Sequence, residues 1–289
     1  MYLLLLASFI WAFSFGLIKV RFAGIDPVAV TTLRLAFALA LFLPFYRRQG
    51  LNRIAQLRFA LIGAVQFGVM YLFYQASFAT LKGYEVALFT LLTPLYLALV
   101  DSAIERRWRS RNAGSAVLAV AGSGIVLWSR APNHAPWIGF LFVQAANLCF
   151  AAGQLAWRRE RARTGPGLRD ASIFALPFAG ALAASVAVSA FTTDWPALHL
   201  SGAQWGALAY LGLLSSGACF FWWNLGATRV NAGTLGVFNN AKVPLAVACS
   251  LLFFGEHADL RRLILGGGLM VVAVLVAQRG TARGQAVKC

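Results

Sequence analysis

Ten apolar stretches occupy almost all of this chain, and each is about as long as the hydrocarbon core of a bilayer is thick. Crossing that core as a helix takes about 20 mostly apolar residues. Windows of that size lie at 3–22, 27–46, 57–79, 84–101, 113–129, 137–157, 171–191, 204–225, 232–254 and 263–278. The pattern predicts an all-α integral membrane protein of ten transmembrane helices, without strands. Composition agrees: 60% of the 289 residues are hydrophobic and 12% are charged, where a soluble domain carries about a quarter charged residues. The first apolar run has no basic segment before it and outlasts a signal peptide, so it reads as a span and no cleaved leader is expected.

The 25 Lys+Arg against 9 Asp+Glu could indicate a nucleic-acid binder. The basic residues fall almost wholly between the apolar runs, however, which describes topology and argues against nucleic acid as a partner. One set of alternate connections carries Arg47, Arg48, Arg53, Arg58, then Arg106, Arg107, Arg109, Arg111, then Arg158, Arg159, Arg161, Arg163, Arg169, then Arg229, with Arg279, Arg283 and Lys288 in the tail. The other set carries only Arg21, Lys82, Arg130, Arg261 and Arg262. By the positive-inside bias both termini are cytoplasmic, in the inner (plasma) membrane. Short connections marked by Gly24-Ile25-Asp26-Pro27, Arg130-Ala131-Pro132-Asn133, Gly165-Pro166-Gly167 and Asp194-Trp195-Pro196 leave no room for an extramembrane domain.

The two halves echo each other. Ala7-Ser8-Phe9-Ile10-Trp11-Ala12 aligns with Ala146-Asn147-Leu148-Cys149-Phe150-Ala151, and Pro94, Glu105 and Gly114 echo Pro244, Glu256 and Gly266. Five spans per unit is an odd number, so the second unit (135–279) sits inverted relative to the first (1–134), with 280–289 left as a basic cytoplasmic tail. Inverted repeats are a transporter signature, with the substrate site near the midplane at their interface.

On these residues the chain resembles the drug/metabolite transporter superfamily in its ten-helix EamA form. The resemblance rests on Ser8 to Lys19 with Trp11, Thr32-Leu33-Arg34-Leu35, Thr93-Pro94, and Pro244 through Gly255-Glu256 to Gly266. Val230-Asn231-Ala232-Gly233-Thr234 with Asn239-Asn240 further looks like the amino-acid exporter branch. The resemblance implies alternating-access export of small metabolites. Lys242 departs from the apolar residue of that branch.

An ammonium group at bilayer depth is costly and marks a functional site by default. Lys242 lies about 15 Å along its helix from Ala232, half the thickness of the core, on one stripe with Leu235, Asn239 and Ala246. It reads either as the partner of a substrate carboxylate or a protonation switch, or as a group bonded to Asn side chains that holds the helix interface. Pro244 loosens a carbonyl one turn back, near Asn240. In span six Gln144, Asn147, Ala151 and Gln154 form a polar stripe that either lines a cavity or bonds between helices. Tyr71, Tyr74, Gln75 and Phe78 in span three could stack on an organic solute or simply pack. Trp11 sits mid-span beside Ser8, Phe15 and Lys19, whereas the other tryptophans read as an interfacial belt. Lys19 is expected to snorkel outward. Arg34 and Glu85 could form a structural or gating ion pair.

The expected substrate-binding set is therefore Lys242, Asn239, Trp11, Tyr71, Tyr74, Gln75, Asn147, Gln154 and Thr93. No catalytic residues, metal or cofactor are expected. No phosphate-binding loop is present, His134, His199 and His257 are too scattered for zinc, and Cys149, Cys219, Cys249 and Cys289 lack disulfide or knuckle spacing. Carboxylate pairs and serine–histidine sets are absent from the spans, so an intramembrane hydrolase lacks its parts. Expectation therefore settles on a secondary transporter of small zwitterionic or anionic metabolites, amino acids first, working as an exporter with lipid around it. A nucleotide-sugar or sugar-phosphate exchanger is the rival within transport, and would need more cations at depth. A membrane enzyme or scramblase acting on lipid head groups, or a non-transporting sensor, are the rivals outside it.

Overall fold

Capping residues fix where several helices begin. Asp26 accepts a hydrogen bond from the Val28 N–H at 2.9 Å with Pro27 in the first helical position, Asn52 accepts from the Ala55 N–H at 2.7 Å, and Ser201 and Gln204 bond each other's backbone reciprocally. The computed structural model describes residues 2–48, 50–104, 110–127, 136–165, 167–229 and 232–285. Among them are ten helices and no strand: α1 (Tyr2–Arg21), α2 (Pro27–Phe45), α3 (Arg53–Ser77), α4 (Gly83–Ile104), α5 (Ser110–Leu127), α6 (Pro136–Thr164), α7 (Asp170–Thr192), α8 (Gly202–Ala227), α9 (Ala232–Phe253) and α10 (Leu260–Gln285).

Seven of these, α1 to α4 and α6 to α8, are long and apolar enough over described residues to cross a membrane. The apolar described parts of α5 and α9 are shorter, Val117–Leu127 and Lys242–Phe253. The helices outrun some sequence windows. α6 continues past residue 157 to Thr164, and α10 continues to Gln285, into the stretch expected to be tail. Glu105, Arg106, Arg107, Trp108, Arg109, Trp128, Arg130, His134, Asn231 and Lys288 lie outside the described residues.

Several of the most extensive helix pairings are preserved when the halves are exchanged. α1 packs on α9 as α6 packs on α4, α3 packs on α7 as α8 packs on α2, and α3 packs on α6 as α8 packs on α1. The pairs α2–α7 and α5–α10 map onto themselves. Between α5 and α10 the crossing is itself reciprocal. A Cβ on Gly122 would stand 2.6 Å from the Gly266 carbonyl oxygen, and a Cβ on Gly266 2.5 Å from that of Gly122. With lipid as apolar as any side chain, helices associate through such close backbone packing.

Among the described residues, α3, α4 and α8 are irregular near the middle of their length. α3 and α8, which exchange under the half-swap, each contain a π-helical stretch, at Ala64–Val69 and Tyr210–Ala218. α4 tightens into a 3₁₀ turn at Thr90–Leu92 just before Pro94. Such departures release backbone groups and recur at functional sites.

At the end where α6 meets α7, Arg58 and Arg163 pair with Glu160, Arg161 pairs with Asp170, and the Arg47 N–H donates to the Ser172 carbonyl at 3.0 Å. The arginine-rich connections from α2 to α3 and from α6 to α7 thus share one end. At the other end Thr193 bonds Asp26 and Gln204 donates to the Arg21 carbonyl at 3.1 Å. There Glu256 accepts from the Gly83 and Tyr84 N–H groups at 2.7 and 2.9 Å, closing the start of α4. Lys19, expected to snorkel, donates to the Phe78 carbonyl at 2.7 Å, at the end of α3. The tryptophan belt is also only partial. Trp137, Trp195 and Trp205 are exposed, but Trp157 and Trp223 are 1% exposed and belong to the aromatic core, against Phe59 and Phe174 and against Trp11 respectively.

Candidate functional site

A cavity of about 70 Å³ sits among α1, α2, α3, α4, α6, α8 and α9, at the level of the irregular turns. Its shape follows from local backbone chemistry. Pro94 has no N–H to give the Thr90 carbonyl four residues back. That oxygen instead accepts from the Thr93 hydroxyl at 2.7 Å and from the Asn239 amide at 3.4 Å. The Thr93 N–H turns to the Thr90 carbonyl, and the Phe89 carbonyl it leaves is taken by Asn147 Nδ2 at 3.0 Å. Asn147 Oδ1 accepts from the Thr93 hydroxyl at 3.0 Å. The break in α4 is thereby stitched to α6 and α9.

The π-helical stretch of α8 does the same on the opposite wall. The Ser215 carbonyl accepts from Trp11 Nε1 at 2.8 Å, and the Ser215 hydroxyl meets Ser14 Oγ at 3.0 Å. Tyr71 shares a hydrogen bond of 2.9 Å with Ser216 Oγ. Trp11 packs against Phe220 and Trp223 at 5.1 Å each, which fixes its ring as one face of the cavity.

Two cations line this aromatic chamber. Lys242 is 8% exposed, donates to Asn239 Oδ1 at 3.1 Å, and holds its ammonium 5.0 Å from the centre of the Trp11 ring. Arg34 is 2% exposed. Its Nε and Nη2 donate to Ser216 and Ser215 at 2.5 and 3.2 Å, and its guanidinium lies 4.1 Å over the Tyr71 ring. Its Nη1 is buried without a hydrogen-bond partner. Aromatic faces compensate part of such charge, about 0.5–2 kcal/mol each. No Asp or Glu lines the cavity among the described residues. Desolvating two such ions costs several kcal/mol each even after relaxation.

Of the residues singled out in the sequence, Lys242, Trp11, Tyr71, Tyr74, Thr93 and Asn147 all line the cavity. Asn239 stands behind Lys242 and orients it. Gln75 faces a different cavity nearer the end opposite the termini. Gln154 is fully buried with neither amide atom bonded, and is not part of the chamber wall. The expected Arg34–Glu85 ion pair is not formed. Arg34 is turned to α8 by Ser215 and Ser216, whereas Glu85 accepts from the Lys82 N–H at 2.8 Å, at the start of α4. Arg34 is instead a wall of the chamber. Ser14, Ser215 and Phe220 were missed. The signal for the serines was available in Ser215-Ser216, a hydroxyl pair between Gly212 and Gly217 within an apolar span.

The EamA-like transporter family model matches residues 1–128 and again 136–278, so two copies cover nearly the whole chain. The chain belongs to the EamA-like transporter family. This EamA-like transporter is 38% identical over 278 residues to the probable biotin transporter of Pseudomonas aeruginosa, covering 96% of this chain and 97% of that one. It is 35% identical over 284 residues to the biotin transporter of Salmonella typhimurium, covering 98% and 94%. A more distant likeness, 26% over 224 residues and 72% of each chain, is to the aromatic amino acid exporter YddG of Ancylobacter novellus. A solved crystal structure superposes with a TM-score of 0.66 at 22% identity, over 96% of this chain and 97% of that one, which bears on the fold alone. The protein is a multi-pass membrane transporter.

Proposed function

We propose that this transporter carries a small organic carboxylate with a neutral, hydrogen-bonding body, and that biotin is its substrate in place of the amino acids first expected. The observation that carries the reading is the pair of buried cations, Lys242 and Arg34, facing one aromatic chamber with no lining carboxylate among the described residues. A carboxylate bound between them accepts from the Lys242 ammonium and from Arg34 Nη1, the one guanidinium nitrogen with nothing to bond. An α-ammonium group beside it would meet two like charges, which disfavours amino acids. The fused ureido ring of biotin is neutral, and Trp11, Tyr71 and Tyr74 offer it stacking faces, with Thr93 and Asn147 as polar guides. The names of the relatives at 35–38% identity favour the same solute.

In this reading residues 1–134 and 135–279 are the two inverted units, both termini are cytoplasmic, and the arginine-rich end faces inward in the inner membrane. Ligand binding neutralises the chamber and favours an occluded form, and rocking of the units opens it to either side. A carrier of this kind runs down whichever gradient is imposed, so direction follows from the solute gradient and not from the site. We assign it no catalytic step.

Counterflow of labelled biotin in proteoliposomes tests the proposal. Parent protein is expected to exchange biotin, to lose exchange in Lys242→Met, and to ignore biotin methyl ester, which lacks the charge. Exchange of phenylalanine or tryptophan without exchange of biotin overturns the substrate assignment. Equal exchange of the acid and its ester overturns the role given to the cations.

A further inference from the structure

A second cavity, of about 260 Å³, lies at the end opposite the termini, bounded by the end of α1, the turn into α2 and the end of α3. Both it and the central chamber are lined by residues of α1 and α3. On α3, Gln75 stands four residues beyond Tyr71, about 6 Å along the axis. On α1, Lys19 stands one turn beyond Phe15. Tyr74 lines the chamber, its ring 6.0 Å from Phe15 of the chamber wall and 5.1 Å from Phe78 of the outer wall.

The walls of this outer cavity are electrically balanced. Lys19 donates to the Phe78 carbonyl, and Asp26 accepts from the Val28 N–H and the Thr193 hydroxyl. Gln75 is different. Its side chain is 4% exposed and its Oε1 is buried with no hydrogen-bond partner. Buried amides are bonded in nearly all structures, and each exception calls for an explanation. A carboxamide offers an N–H and a C=O side by side, the complement of a cyclic urea or lactam, which offers the same two groups in the same plane. A free carboxylate gains no net charge to pair with here, because Lys19 and Asp26 offset each other.

We infer that this outer cavity is a second solute station, where Gln75 holds the ureido or amide end of the solute before Tyr74 admits it to the charged chamber. The choice of a ureido ligand rests on the biotin reading above. The station recognises the neutral end of the molecule, and the chamber recognises the anionic end. A solute lacking its charge therefore binds outside and goes no further.

Tritiated biotin methyl ester, which keeps the ureido ring and lacks the carboxylate, separates the two sites. Its equilibrium binding is measured on purified parent, Lys242→Met and Gln75→Met. Equal affinity in the parent and Lys242→Met, with about 5- to 10-fold weaker binding in Gln75→Met, is the expected result. A melting temperature matching the parent's establishes that Gln75→Met is folded. If it is not, Gln75→Asn, which shortens the amide by one methylene, takes its place with the same expectation. Unchanged ester binding in the folded Gln75 variant overturns the station, as does loss of ester binding in Lys242→Met. Failure of the biotin reading appears separately, as a parent that does not exchange biotin in counterflow.

Discussion

Replacing Arg34 by methionine separates ligand binding from structural support. The guanidinium bonds Ser215 and Ser216, lies over Tyr71, and leaves Nη1 buried and unbonded. Losing a charge-assisted hydrogen bond to a carboxylate removes about 1.5–3 kcal/mol, which weakens biotin binding by about 10- to 160-fold. The unliganded protein responds differently. Methionine removes a buried cation that has no acidic partner among the described residues, and exchanging buried ions for apolar groups is often neutral or stabilising. Ser216 keeps its bond to Tyr71. Thermal unfolding in detergent with and without ligand reads both effects. Parent protein at a ligand concentration of about 100 Kd gains about 2.7 kcal/mol, and a variant binding about 50-fold more weakly gains about 0.65 kcal/mol at the same concentration. The melting temperature without ligand stays near the parent's. A folded Arg34→Met that keeps the parent's ligand-induced shift refutes the anion site. A collapse of stability without ligand shows that Arg34 is a strut between α2 and α8.

Other substitutions probe the frame around the chamber. Lys242→Arg keeps the charge but replaces a compact ammonium near Trp11 with a planar fork. It is expected to bind biotin at least about tenfold more weakly while retaining more exchange than Lys242→Met, which a radioligand titration checks. Asn239→Leu removes the acceptor that orients Lys242 and the donor to the Thr90 carbonyl, and should raise the half-saturation for exchange by about 5- to 20-fold. Gly122→Leu places side-chain atoms where the Gly266 backbone stands, so α5 and α10 must part and the yield of monodisperse protein on size exclusion should fall sharply. Glu256→Ala removes two bonds from the first N–H groups of α4 and should lower stability by about 1–3 kcal/mol, read as a lower melting temperature.

The apolar windows alone placed the helices, because lipid leaves a chain of this hydropathy one way to satisfy its backbone. The echo of Trp11 with Phe150, and of Pro94 with Pro244, pointed to two related halves before any contact was known. Lys242, Trp11, Tyr71 and Asn147, which line the chamber, were legible as candidates because each breaks the local apolar pattern or stands mid-span. The partner of Arg34 was not legible. Glu85 was the partner expected for it, whereas the π-helical stretch of α8 turns two serine hydroxyls toward α2. Gln75 and Tyr74 are adjacent in sequence yet face different cavities, since neighbouring residues on a helix point about 100° apart and the helices beyond them decide what each one meets. Spacing along the chain determined which residues share a stripe, while only the packing of seven helices around one point decided which stripes meet, and so brought two like charges from α2 and α9 into one chamber.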